Sequence, residues 1–150
     1  MLKLRRATAS DAPAAAQIIA QALAEYGLTF EPEGRDADVA TFGTRPDHDD
    51  LVAEDAGRVL GVASVGPQGA EGVAWVSKVF VSREARRRGA GRALLEGVHD
   101  AARARGYRQV GLRTRLVFVE AIAMYEAFGY ERRADPAAIR PGDVVYYRAL

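Results

Sequence analysis

Apolar and polar positions alternate along much of this chain, and at three places the alternation gives way to a helical period. Leu2 and Leu4, separated by a polar residue, predict a first strand. Ala15, Ile18, Ile19, Ala22, Leu23 and Tyr26 then recur in steps of three and one, which lays one apolar stripe along a helix. Ser10-Asp11-Ala12-Pro13 ahead of it offers a polar cap and a first-turn proline, and Gly27 offers a stop. From Gly27 to Asp50 the pattern weakens into a loop with a short helix in it. Leu51–Glu54 and Val59–Val65 flank Asp55-Ala56-Gly57-Arg58 and predict a hairpin. Val73–Val81, β-branched and aromatic, predicts a central strand. Ala93, Leu94, Leu95, Val98, Ala101 and Ala102 are spaced as an amphipathic helix that stops at Gly106. Val110–Leu112 predicts a short strand; Ala121, Met124, Tyr125 and Phe128 predict a helix closed by Gly129; Tyr130 and Val144–Tyr147 predict two closing strands. The order is mixed α/β, with antiparallel strands early and a strand–helix–strand unit at the centre.

A chain of 150 residues fits one domain, residues 1–150, and a domain of that size buries roughly 70% of its unfolded surface. Cysteine is absent, which excludes disulfides, thiolate metal sites and a cysteine nucleophile. With His48 and His99 the only histidines, no metal is expected. The N-terminus has no apolar run fit for a signal peptide or a membrane span, so a cytoplasmic protein without a membrane partner is expected. Net charge is +1, but it is unevenly spread. Residues 27–50 hold seven carboxylates against Arg35 and Arg45, a net −5, and the remainder carries +6. The plain reading of such a run is a solvated loop; a second reading is attraction of a cationic ligand.

The positive charge concentrates at Arg86-Arg87-Arg88-Gly89-Ala90-Gly91-Arg92, between a predicted strand and a predicted helix. The first amides of a helix lack intrahelical acceptors, and the dipole adds about half a positive charge there. Gly89 and Gly91 let an anion approach the backbone. No Lys-Ser/Thr follows, so this is not a triphosphate P-loop, and Leu94 stands where a dinucleotide fingerprint needs its third glycine. A nucleic-acid patch of Arg83, Arg86 to Arg88, Arg92, Arg103, Arg105 and Arg108 is disfavoured by the acidic segment and by the lack of a groove-reading motif.

Arg86-Arg87-Arg88-Gly89-Ala90-Gly91 resembles the Gln/Arg-x-x-Gly-x-Gly/Ala acyl-CoA signature of the GNAT superfamily of N-acetyltransferases. Val79–Ala85 looks like that family's preceding strand and bend. Ala121–Tyr130 is similar to its Ala-x-x-Leu-Tyr-Glu-x-x-Gly-Phe segment, and Arg5–Asp11 to its opening. The resemblance runs in order over nearly the whole chain. It implies a central, mixed, mostly antiparallel twisted sheet flanked by helices, with a splay that admits acetyl-CoA. Val79, Phe80 and Val81 would pair with the pantetheine arm and polarise the thioester. Arg86, Arg87, Arg88, Gly89, Ala90, Gly91 and Arg92 would hold the pyrophosphate, and Tyr125 would protonate the departing thiolate. The acceptor would be a primary amine of a small molecule or peptide, cationic if the acidic segment lines its site, and members of the family often form homodimers. Position alone favours Tyr125 as a core aromatic on the helix stripe with Ala121, Met124 and Phe128; the resemblance reverses that preference.

Two departures stand out. Trp75 occupies the position where many members carry a basic glutamate, leaving Glu25, Glu54, Glu71 or a water relay for that role. Phe118 stands where many carry Asn or Gln, so Tyr125 must be positioned by packing. Together they suggest an apolar acceptor pocket or, alternatively, a module that binds acyl-CoA without turnover.

Overall fold

Seven strands build one mixed sheet in the computed structural model, which describes residues 1–150. They are β1 (Lys3–Arg6), β2 (Asp49–Asp55), β3 (Arg58–Gly66), β4 (Val73–Val81), β5 (Gln109–Arg115), β6 (Glu131–Arg133) and β7 (Asp143–Ala149). The spatial order is β1-β2-β3-β4-β5-β7-β6, antiparallel throughout except for the parallel pair β4·β5. Helix α2 (Ala90–Ala104) makes the crossover that a parallel pair requires. Helices α1 (Ala12–Ala24) and α3 (Val119–Ala127) complete the architecture.

Strand alternation sends successive side chains to opposite faces, and the core divides accordingly. Leu51, Ala53, Ala63 and Val65 join Leu94, Leu95 and Val98 of α2 and Tyr125 of α3 on one face. Val52 and Val62 point the other way, into Ile18, Ile19 and Leu23 of α1. Val39 and Phe42, around a short 3₁₀ turn at Ala37–Thr41, close that second cluster.

Helix α1 begins as the sequence suggests, with Asp11 at its N-cap and Pro13 in its first turn. Asp11 also closes the 3₁₀ turn ahead of it, Ala9–Asp11: the Thr8 N–H donates to Asp11 Oδ2 at 2.7 Å, and the Asp11 N–H donates to Thr8 O. Arg5 forks onto the same carboxylate at 2.8 and 2.9 Å and holds it below its usual range. At the other end the helix stops at Ala24, so Tyr26 belongs to the turn through Gly27.

The acidic segment is not a solvated loop. Asp36, Asp49 and Asp50 are buried, and most of its carboxylates are matched internally. Asp49 accepts from Arg6 at 2.5 Å and Arg105 at 2.6 Å. Asp50 accepts from Ser64 and from the Gly43 amide. Asp38 meets Lys78 at 2.9 Å, and Glu31 meets Arg140 at 3.3 Å. The net −5 is therefore spent on folding the segment against the sheet, and it supplies little field for a cationic ligand. No helix is long and apolar enough to cross a membrane.

Between α2 and α3 lies a buried histidine. Arg148 can only donate, so its 3.2 Å contact to His99 Nδ1 makes that atom the acceptor and leaves the ring proton on Nε2, which donates to the Tyr130 hydroxyl at 2.7 Å. Burial first, then the charges of Arg148 and Arg103, push His99 from its ordinary 6.5 down to about 4. The unfolded chain takes up this proton near pH 6.5, and the folded protein resists it until about pH 4. Between those values the unfolded state binds more protons, so stability falls as pH drops. Thermal melts of the parent should lose several degrees across that window, whereas His99→Gln should flatten it. Identical pH slopes in the two proteins would show that His99 is not the group responsible.

Candidate active site

The parallel pair comes apart halfway along. β4 and β5 are in register only from Val73↔Gln109 to Val76↔Leu112. Beyond Val76, β4 stays with β3, and Arg113 to Arg115 stay with β7. One cause is visible in the β3·β4 register, where Ser64↔Ser77 is followed by Val62↔Phe80. Two β4 residues, Lys78 and Val79, thus oppose Ala63 alone, and Lys78 takes φ +58°. Such a bulge bends and twists its strand. The left-handed conformation costs a lysine about 1–3 kcal/mol and is held by its neighbours, including the Lys78–Asp38 ion pair. The result is an edge inside the sheet, with Ser77 to Val81 unpaired on the β5 side.

A cavity of about 760 Å³ passes through this gap from one face of the sheet to the other. On the α2/α3 face it meets Val76, Leu112, Ala90, Met124 and Tyr125; on the α1 face it meets Leu23, Tyr26, Trp75, Phe80 and Phe118.

At one end lies the arginine-glycine loop. A 3₁₀ turn (Arg83–Ala85) leads into Arg87 at φ +66° and Gly89 at φ +80°, after which α2 begins. The alternation of conformations turns the amides inward as a nest. Among the backbone and side-chain hydrogen bonds, none is donated by the N–H of Arg87, Gly89, Ala90, Gly91 or Arg92. A Cβ on Gly89 would meet nothing within 4 Å, so the loop is open above it. Gly91 is tighter, its missing Cβ lying 3.3 Å from Met124 Sδ, and this close approach seats α2 against α3.

The residues singled out from sequence divide as follows. Val79, Phe80, Val81, Arg86, Arg87, Gly89, Ala90, Gly91 and Arg92 all line the cavity, as does Tyr125. Arg88 does not: its guanidinium turns away to Asp55 at 2.5 Å. Arg86 lines the wall and is fixed by Glu25 at 2.5 Å, which Arg83 also grips at 3.0 Å. Those two guanidinium groups hold the Glu25 carboxyl below its ordinary range, which makes it a poor base. Glu54 is bound to Arg5, and neither Glu54 nor Glu71 reaches the cavity.

Tyr125 is 5% exposed, and burial pushes its phenol above the ordinary 10. Its hydroxyl has no hydrogen-bond partner within the protein, and its ring lies 5.6 Å from that of Tyr130. Packing alone therefore sets its position. Phe118 caps α3 and stacks edge-on with Tyr26 at 5.0 Å and Phe80 at 6.2 Å, tying the end of α1 to β4 across the gap.

The far end of the cavity carries residues that the sequence reading did not single out. Arg35, Arg113 and Arg115 stand there with Asp36 and Asp143. A signal was present. Gly111, Arg113 and Arg115 share one face of a strand at period two, but the apolar run that marks β5 ends at Leu112.

Comparison with known proteins places this geometry among relatives. The chain matches the family model described as Acetyltransferase (GNAT) family over residues 16–130. It is 33% identical to an Escherichia coli (strain K12) protein named an uncharacterized N-acetyltransferase, YjgM, over 85% of this chain and 81% of that one. It superposes on a GNAT-family acetyltransferase from Staphylococcus aureus with a TM-score of 0.85 at 16% identity, over 100% of this chain and 99% of the other. A GNAT superfamily phosphinothricin acetyltransferase from Sinorhizobium meliloti, solved in complex with AcCoA, superposes with a TM-score of 0.77 at 24% identity, over 99% and 88% of the two chains.

Proposed function

Since the chain belongs to the GNAT family of acetyltransferases, we propose that it binds acetyl-CoA across the splayed strands and transfers the acetyl group directly to a primary amine. The observation that carries this reading is the row of five unpartnered amides, Arg87, Gly89, Ala90, Gly91 and Arg92, at one mouth of a cavity that runs on between β4 and β5 to a buried tyrosine. The Sinorhizobium meliloti relative with this fold was solved with AcCoA.

Each part of the site suits one part of that cosubstrate. The five amides and the α2 dipole match a pyrophosphate, with Arg87 and Arg92 adding charge. The open edge of Ser77 to Val81 matches the amides of a pantetheine arm, as it would an added strand. Acetyl-CoA supplies an activated thioester, and its thiol is the leaving group.

What the chain must supply is orientation, a polarising N–H near the bulge, and a proton. Tyr125 holds that proton: its raised pKa keeps the phenol protonated at every working pH. The burial that raises the phenol also disfavours a bare thiolate beside it, so the proton passes from Oη to sulfur as the carbon–sulfur bond breaks. Glu25, Glu54 and Glu71 do not line the cavity; the acceptor enters as the free amine, and the proton its nitrogen loses after attack returns through water to the Tyr125 oxygen, which restores the phenol.

Calorimetric titration of the purified protein with acetyl-CoA tests the reading. We expect one site per chain with an affinity in the micromolar range, about −8 kcal/mol. No heat and no thermal stabilisation at millimolar acetyl-CoA would remove the cosubstrate, and the reading with it.

A further inference from the structure

Arg115 is out of keeping with the other arginines. Six arginines are partly buried: Arg5, Arg35, Arg45, Arg86, Arg115 and Arg148. Arg5, Arg35, Arg45 and Arg86 each meet a carboxylate, and Arg148 donates to His99. The side chain of Arg115 alone makes no hydrogen bond and no ion pair, although the residue lines the cavity. In the open cavity its nitrogens stay within reach of solvent, and an apposed anion gains a charge-assisted fork there.

Its surroundings show which anion it is placed for. Burial holds Arg115 below its ordinary range, and the charges acting on it are Arg35, Asp143, Arg140 and Glu31. All four belong to the acidic segment and to the start of β7 and the residues before it; none belongs to the arginine-glycine loop. Arg115 lies past the splay, on the β7 side of the gap, and not on the loop that carries the amides suited to phosphate. Asp143 cannot satisfy it, being held by Arg35 at 3.1 Å and by the Arg140 amide at 3.0 Å.

Four residues back along β5 from Arg115, the cavity floor is apolar. The missing Cβ of Gly111 sits between Tyr147 Cε1 at 2.8 Å and Trp75 Cζ3 at 2.9 Å, so Gly111 lets the two rings meet over β5. Strand alternation from Gly111 brings Arg113 and Arg115 onto that same face. Arg113 is partly engaged with Ala137 O at 3.2 Å, which leaves Arg115 the free fork.

Resting on the transfer reading above, we infer that the acceptor is a small amine that also carries a carboxylate, bound by the Arg115 guanidinium with its apolar body on Trp75. This reverses the expectation of a cationic acceptor. The acids that prompted that expectation are largely committed to internal partners, and the unsatisfied charge at this end of the cavity is positive.

The test compares amino acids with their carboxamides, α-, β- and γ-amino acids in pairs, as acceptors with saturating acetyl-CoA. The amides' amines lose a proton more easily, so intrinsic reactivity runs against the proposal. We expect the carboxylate member to be favoured in kcat/KM on the order of 10- to 100-fold, the value of a charged bidentate contact. Arg115→Gln should bring the ratio toward one through KM. Arg115→Lys should restore only part of it, because a point charge lacks the fork. Exposed Arg132→Gln should leave the ratio alone. Acetyl-CoA affinity, measured by calorimetry, reports that each variant is folded.

A second readout keeps this proposal separate from the transfer reading. In protein labelled with ¹⁵N-arginine, the Nε–H signal absent from Arg115→Gln identifies Arg115. Its displacement by the amino acids and by propionate, but not by the amides, supports the proposal even if no amine is acetylated. Equal use of acid and amide, or an Arg115 signal that no carboxylate in the panel moves, overturns it.

Discussion

Gly91→Glu should weaken acetyl-CoA binding by at least about 100-fold, or about 2.7 kcal/mol, while leaving the protein folded. The new Cβ meets Met124 Sδ at 3.3 Å, a contact that a flexible methionine relieves by a few tenths of an ångström. Gly91 lies in the first turn of α2, where a carboxylate interacts favourably with the dipole and with the free amides of the loop. The substitution therefore stabilises the empty protein slightly and occupies the site proposed for the pyrophosphate. Calorimetry and thermal melts on the same sample separate the two effects. Gly91→Ala is the control and should bind within a few-fold of the parent. Parental affinity in the glutamate variant would move the pyrophosphate elsewhere.

Tyr125→Phe should lower kcat by about 10²- to 10³-fold with acetyl-CoA affinity changed by less than about twofold. The substitution is unusually clean, because the phenolic hydroxyl has no partner within the protein to leave unsatisfied. The ring keeps its contacts with the core and with Tyr130, so stability should hardly change. A purely structural Tyr125 predicts the reverse, an unaltered kcat in a stable protein. Steady-state turnover with any accepted amine, set beside a melting curve, distinguishes the two roles.

The sequence made the fold legible where local chemistry decided it. The apolar stripe of α1, the β-branched run of β4 and the arginine-glycine loop were each readable because periodicity and helix-terminus physics act over a few residues. The direction of the Arg88 side chain was not legible, because it is set by Asp55, 33 residues away in sequence. The acidic segment was read by its net charge, but the partners that consume it, Arg6, Ser64, Lys78, Arg105 and Arg140, are spread over the whole chain. Arg115 was invisible for the same reason inverted. A lone arginine at a strand end looks ordinary until the structure shows that every other partly buried arginine has a partner. The splay depends on a bulge at Lys78, a residue that carries no conformational signal for φ +58°.

The central claim is direct transfer from acetyl-CoA to an amine, and product stoichiometry tests it most directly. The protein is incubated with acetyl-CoA and the amino-acid panel, free CoA thiol is titrated, and N-acetylated amine is measured by mass spectrometry. The account predicts one acetylated amine for each thiol released, abolished together in Gly91→Glu and slowed together in Tyr125→Phe. Thiol released without acetylated amine, or acetyl-CoA bound and left intact with every amine offered, would contradict it.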